Sequence, residues 1–126
     1  MHLVPEQRAH LHTVDSEQVC DAIGGLGAAG ETAQWAELFS ALSDPGRLSL
    51  LLSIQQVPDI CVTDLAVAVG MKDAAVSQSL RILRALGLVS ARRDGRLIHY
   101  RIADEQVDDL LRYVRSHLSV LEAAHH

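Results

Sequence analysis

Two sets of side chains in this sequence could do chemistry. The first is basic: Arg92, Arg93 and Arg96 crowd around Asp94-Gly95, with Lys72, Arg81 and Arg84 upstream. Guanidinium groups gathered at one point suit phosphate oxygens, which they grip in a planar fork. The second set is thiol and imidazole. Cys20 and Cys61 are too few for the disulfide framework of a secreted domain. In a reducing compartment they read as buried thiols, metal ligands or redox sensors. His2, His10 and His12 are scattered near the first of them. The chain carries no Ser-His-Asp order and no phosphate loop. Asp108 and Asp109 are neighbours on a helix and point about 100° apart, so they are no catalytic pair. An enzyme is not expected.

The arginines need a scaffold, and residues 61 to 101 supply one. Leu65 and Val69 lie one helical turn apart and share a buried face, with small Ala66 admitting a close neighbour. Gly70 falls where a turn requires positive φ. Asp73 is then expected to cap a second helix running to about Leu86, which Gly87 stops. On it Val76, Leu80 and Leu83 point one way, while Ser77, Gln78, Arg81 and Arg84 lie mostly on the other. A short polar face near a helix N-terminus is what meets base edges in a major groove. Leu88 to Arg93 and Arg96 to Ile102 are strand-like runs about Asp94-Gly95, a two-residue turn signal. Helix, turn, helix and basic hairpin in that order predict a mainly α fold with a β-hairpin wing, the winged helix-turn-helix. The expected DNA-facing residues are Lys72, Ser77, Gln78, Arg81, Arg92, Arg93 and Arg96.

Charge is distributed to match. The chain has a net charge of −5, which is the wrong sign for a partner of DNA. Residues 72 to 101, however, hold seven basic residues against two acidic ones, a local +5. The remainder carries four basic and 14 acidic, or −10. The face that meets phosphate decides affinity, so the polarity is informative. Aromatics make up only 3% of the 126 residues, so the core must be aliphatic. No apolar run reaches the roughly 18 residues of a membrane span. The start MHLVPEQRAHLHTVDSEQ lacks a secretory signal's basic and apolar regions. A cytoplasmic protein is expected.

In chain order, residues 1 to 30 are expected as a loosely structured arm. It carries one short helix over Asp15 to Ile23 and the linker GGLGAAG at 24 to 30. Residues 31 to 126 form the DNA-binding and dimerisation domain. Its first helix, Glu31 to about Leu42, presents Trp35, Leu38, Phe39 and Leu42 at packing spacing. Asp44-Pro45 starts the next, which runs to about Ile54, and Gln55 to Ile60 is read as a loop. A last helix spans Asp104 to about Ala123. Val107, Leu110, Leu111, Val114, Leu118 and Leu121 make one apolar stripe on it, beyond the winged-helix core. The same helix in a second copy is the natural cover, so a homodimer through the terminal helices is expected. Its two recognition helices would address half-sites about 34 Å apart.

Together these segments resemble the ArsR/SmtB family of small bacterial repressors. The matching stretches are ALSDPGRLSLLL at 41 to 52, ICVTDLAVAVGM at 60 to 71, AVSQSLRILRALGLV at 75 to 89 and RRDGRLIHYRI at 92 to 102. The resemblance covers roughly residues 31 to 122. It implies a homodimeric repressor that binds operator DNA and is released when a divalent metal binds. It also implies two metal locations. At the first, family members carry a cysteine and an aspartate at the positions of Cys61 and Asp64, with further donors from the arm. Cys20, with His10 or His12, would complete that set. Such donors suit Zn²⁺, or softer Cd²⁺ and Pb²⁺. The second location bridges the terminal helices. There Asp104 and His117 match the pattern, but Gln106 and Val120 stand where two other donors belong. Ser77, Gln78 and Ser79 also depart from the serine, histidine, glutamine of many relatives, so no operator sequence carries over. Two other functions stay open. One is a thiol-redox repressor linking Cys20 and Cys61, and the other is a DNA-binding protein with no effector.

Overall fold

A computed structural model describes residues 3–8 and 11–125 of the chain, without the side chains of Gln7 and of residues 119–125. His10 and the side chain of Leu121 therefore lie outside the described residues. The chain divides into two compact units, Met1–Phe39 and Ser40–His126.

The first unit opens with a 3₁₀ turn at Glu6–Arg8. Helix α1, Ser16–Gly24, follows, and Asp15 caps it by accepting from the Gln18 amide at 3.1 Å. The Gly/Ala linker then leads into α2, Glu31–Leu42, whose residues from Ser40 onward belong to the second unit. Glu31 reaches back to accept from the Ala28 amide at 2.8 Å, occupying a donor that precedes the helix. Trp35 and Phe39 share the face that their spacing marks, but that face is not covered within the described residues. They are 52% and 54% exposed and stack on each other with centroids 6.0 Å apart. Ala41 is the residue of α2 that is buried. Amphipathic spacing identifies a face but not what covers it.

The second unit holds the rest. Asp44 caps α3, Pro45–Gln56, by accepting from the Arg47 amide at 2.9 Å, and Pro45 occupies the first turn as expected. Gly46 also lies in that first turn. A Cβ on it would meet the Met71 methyl at 3.3 Å and the Asp44 carboxylate at 3.2 Å. Helix α3 runs two residues past its expected end, and Gln55 in that extension has a partner. Its Nε2 donates to the backbone oxygen and the carboxylate of Asp108, at 3.0 and 2.8 Å. Leu50, Leu51 and Ile54 carry its inner face and are fully buried.

After Pro58 the chain turns through Asp59, at φ +62°, into strand β1, Ile60–Cys61. Helices α4, Val62–Val69, and α5, Asp73–Ala85, form the helix-turn-helix. Gly70 ends α4 in the left-handed conformation at φ +69°, as the sequence requires. Leu83, Gly87 and Leu88 close α5 in a Schellman pattern, the Leu88 amide donating to the Leu83 oxygen at 3.0 Å. Strands β2, Val89–Asp94, and β3, Leu97–Ile102, make the wing. The sheet order is β1-β3-β2, all antiparallel. Helix α6, Glu105–His125, completes the unit. Its cap is Asp104, which accepts from the Val107 amide at 2.8 Å. The core gathers Leu50, Leu51, Ile54, Leu65, Val76, Leu80, Leu83, Val89 and Leu111, all aliphatic as composition demands.

Candidate nucleic-acid interface and metal ligands

Helix α5 is held from behind. Val76, Leu80 and Leu83 are 0–1% exposed, which locks its roll about its own axis. The consequence is that Ser77, Gln78 and Arg81 face solvent together, next to exposed Lys72. Two details differ from the expectation. The cap residue is Lys72 rather than Asp73, and it makes no side-chain cap bond. Asp73 instead lies inside the first turn, where a carboxylate meets the positive end of the helix dipole. Ser79 is buried and does not join the exposed polar set.

The wing differs by one residue. Asp94 pairs with Leu97, so the two residues of the turn are Gly95 and Arg96, not Asp94 and Gly95. Gly95 has φ +62° and Asp94 does not enter that region. A glycine first in a two-residue hairpin loop matches the strand twist. Arg96 therefore stands on the turn itself, while Arg92 and Arg93 alternate on the two faces of β2. All three are exposed. Arg92 also lies 4.0 Å from the Asp94 carboxylate, with side chains 57% and 72% exposed, an ion pair worth little in water. Arg101, the remaining cation of the wing, is drawn away to Asp59 at 3.4 Å.

The candidate metal ligands are spread over both units. In the first, His12 is exposed, and Cys20 is half-buried and accepts from the Leu3 amide at 3.4 Å. In the second, Cys61 is half-buried and serves twice, as the last residue of β1 and as the cap residue of α4. Asp64 is exposed in the first turn of the same helix. Among the described residues no three His, Cys, Asp or Glu side chains are gathered as a metal would require. Thiol, carboxylate and imidazole remain a donor set suited to zinc or a softer ion. Asp104 is occupied as the cap of α6, and His117 stacks on Tyr113 with centroids 6.4 Å apart. Thirteen residues of helix separate them, about 20 Å at 1.5 Å per residue, so the two cannot share an ion within one protomer.

One neighbour of Cys61 was invisible in the sequence. Cys61 pairs with His99 across β1 and β3, and His99 pairs with Arg92 across β3 and β2. The three side chains form a row on one face of the sheet. His99 is half-buried, and its Nδ1 lies 2.8 Å from the backbone oxygen of Asp59. A two-residue strand at a helix start has no periodicity to betray it.

Comparison with known proteins places this geometry. Residues 44–91 match the model of "Bacterial regulatory protein, arsR family". A Synechocystis protein named as a transcriptional repressor SmtB homolog is 43% identical over 105 residues, 83% of this chain and 79% of that one. A Staphylococcus aureus protein named as a cadmium resistance transcriptional regulatory protein CadC homolog is 34% identical, over 60% of this chain and 63% of that one. Among solved structures, the homodimeric winged helix-turn-helix DNA-binding domain of Mycobacterium bovis Mb0332 superposes with a TM-score of 0.68. It is a possible ArsR-family transcriptional regulator, 35% identical, covering 78% of this chain and 89% of that one. With its helix-turn-helix, its basic wing and this extent of identity, the chain belongs to the ArsR family of bacterial regulatory proteins, DNA-binding transcription regulators built on a winged helix-turn-helix.

Proposed function

We propose that this chain is a metal-responsive transcriptional repressor. It binds operator DNA as a homodimer and leaves it when a thiophilic divalent metal, Zn²⁺, Cd²⁺ or Pb²⁺, binds near the start of α4. The observation that carries the DNA half is the exposed Ser77, Gln78 and Arg81 on a helix locked from behind, beside a wing tipped by Arg92, Arg93 and Arg96. Gln78 reads a base edge, and the wing arginines neutralise phosphates. The dimer is supported by α6. Leu111 is 5% exposed and belongs to its own core, whereas Val114 and Leu118 are 45% and 55% exposed. The outer half of the stripe is thus left for a second copy. The relative at 35% identity is itself homodimeric.

The ligands in this reading are Cys61 and Asp64, both at the start of α4. The name of the Staphylococcus relative, a cadmium resistance regulator, supports a soft divalent effector. Metal can release DNA only through different affinities for the bound and free geometries. A coupling of about 1–3 kcal/mol, some 5–150-fold in operator affinity, is the usual scale. The test is operator affinity measured by fluorescence anisotropy with and without each ion. Cys61→Ser should bind operator and fail to release it, while His117→Ala should still respond. The opposite pair of results moves the sensor to the terminal helices and ends this assignment.

A further inference from the structure

We propose that His99 is a ligand of the effector ion, held together with Cys61 across the β1–β3 pair. This inference rests on the metal-responsive reading and names a donor that the arm histidines were expected to supply. Three observations carry it.

The first is register. Cys61 and His99 are direct cross-strand partners, which puts both side chains on the same face with Cβ atoms about 4.5–5.5 Å apart. Thiolate sulfur and imidazole nitrogen at that separation can reach one tetrahedral ion at ordinary bond lengths of about 2.3 and 2.0 Å.

The second is the tautomer. The Nδ1 of His99 lies 2.8 Å from the backbone oxygen of Asp59. A carbonyl oxygen only accepts, so Nδ1 carries the proton. In the neutral ring Nε2 then holds its lone pair. Metal-binding histidines are oriented in this way, one ring N–H given to a backbone carbonyl and the other nitrogen left for the ion.

The third is the support beneath that carbonyl. Asp59 stands at φ +62°, a conformation that non-glycine residues rarely adopt. Its carboxylate is tied to Arg101 at 3.4 Å, two residues from His99 on the same strand. The Asp59 oxygen is thereby aimed at the ring by the strand that bears the ring.

The consequence is mechanical. Strand β3 is half of the wing, and the row runs Cys61, His99, Arg92. On binding, Cys61 releases its thiol proton to solvent, and both donors close on one ion. Sensor and wing are then joined through a single residue of β3. The donor pair fits Zn²⁺, Cd²⁺ or Co²⁺ and disfavours Mg²⁺ and Ca²⁺, which prefer oxygen.

The experiment uses the full chain. Side-chain ¹⁵N NMR of the unaltered protein follows the histidine ring nitrogens as Zn²⁺ is added to one equivalent. Cd²⁺ titration of Cys61→Ser, His99→Gln and His12→Gln then follows thiolate-to-metal absorption against a competing chelator. Circular dichroism checks that each variant is folded. The Nε2 signal of His99 should shift while Nδ1 keeps its proton. His99→Gln should lose at least about 10-fold in Cd²⁺ affinity, the low end of what loss of even an outer-shell partner costs. His12→Gln should lose little. His99 nitrogens that do not move in the unaltered protein overturn the proposal even where His99→Gln fails to fold. If Cys61→Ser abolishes the absorption and folded His99→Gln keeps its affinity, this ligand is wrong while the metal reading stands. If Cys61→Ser itself titrates unchanged, the metal reading falls and His99 with it.

Discussion

Replacing Arg93 and Arg96 together with alanine should alter the salt dependence of DNA binding by a calculable amount. Both side chains are exposed at the wing tip, and neither forms an ion pair among the described residues. Each phosphate neutralised by a protein cation contributes about 0.9 to the slope of log K against log salt. In the proposed homodimer, two arginines in each of two wings make four contacts, so the slope should fall by about 3.6. Between 50 and 200 mM salt, a fourfold change, that corresponds to about 150-fold less loss of affinity for the variant than for the unaltered protein. Arg92→Ala should lower the slope in the same direction, since its exposed pair with Asp94 at 4.0 Å is worth little in water. The assay is anisotropy of a labelled random-sequence duplex titrated at several salt concentrations, which needs no knowledge of the operator. Gln78→Ala is the contrast. It should leave that slope alone and cost about 1–3 kcal/mol at one position of a selected operator. An unchanged slope in the double variant refutes the phosphate role of the wing. Equal effects of both kinds of variant on random and selected DNA refute the division of labour.

Two further substitutions probe the scaffold. Leu118→Glu should yield monomers by sedimentation equilibrium with the protomer still folded, since Leu118 is half exposed in the single chain. Leu111→Ala should instead lower protomer stability by about 2–5 kcal/mol in urea melts. A dimeric Leu118→Glu places the interface elsewhere. Gly70→Ala should cost about 1–2 kcal/mol through the left-handed turn alone, because nothing lies within 4 Å of the added methyl. A loss well beyond that in thermal melts would mean the turn is more crowded than its geometry allows.

Much of the proposed DNA-binding face was legible as structure because its determinants are local. A glycine at φ +69° between two apolar periods means a helix break whatever else the chain does. Asp44-Pro45 starts a helix for reasons contained in its own first turn. The inward set Val76, Leu80 and Leu83 follows from 3.6-residue periodicity, and the outward set Ser77, Gln78 and Arg81 is what remains. The wing was readable to within one residue. Asp94 and Gly95 both favour turns, and only the pairing of Asp94 with Leu97 decides which of them stays in the strand.

The candidate metal site divides in the same way. Cys61 and Asp64 stand close in the sequence, and their residue types announce what they could bind. His99 lies 38 residues beyond Cys61 and becomes its neighbour only through β1, a strand of two residues that no periodic signal marks. The apolar stripe of α6 shows the same limit. Spacing puts Leu111 and Leu118 on one line, yet one is 5% and the other 55% exposed. Trp35 and Phe39 repeat the lesson on α2, aromatic at core spacing and half exposed. By itself, then, the sequence determined the helices, the wing to within one residue, the cap of α3 and the inward and outward faces of α5, because those depend on nearest neighbours along the chain. Strand pairing, the partner of Cys61, and the point on α6 where the protomer's own core stops were decided by the tertiary structure. They depend on which distant segment arrives at a given face, and an apolar or ligating side chain carries no mark of that.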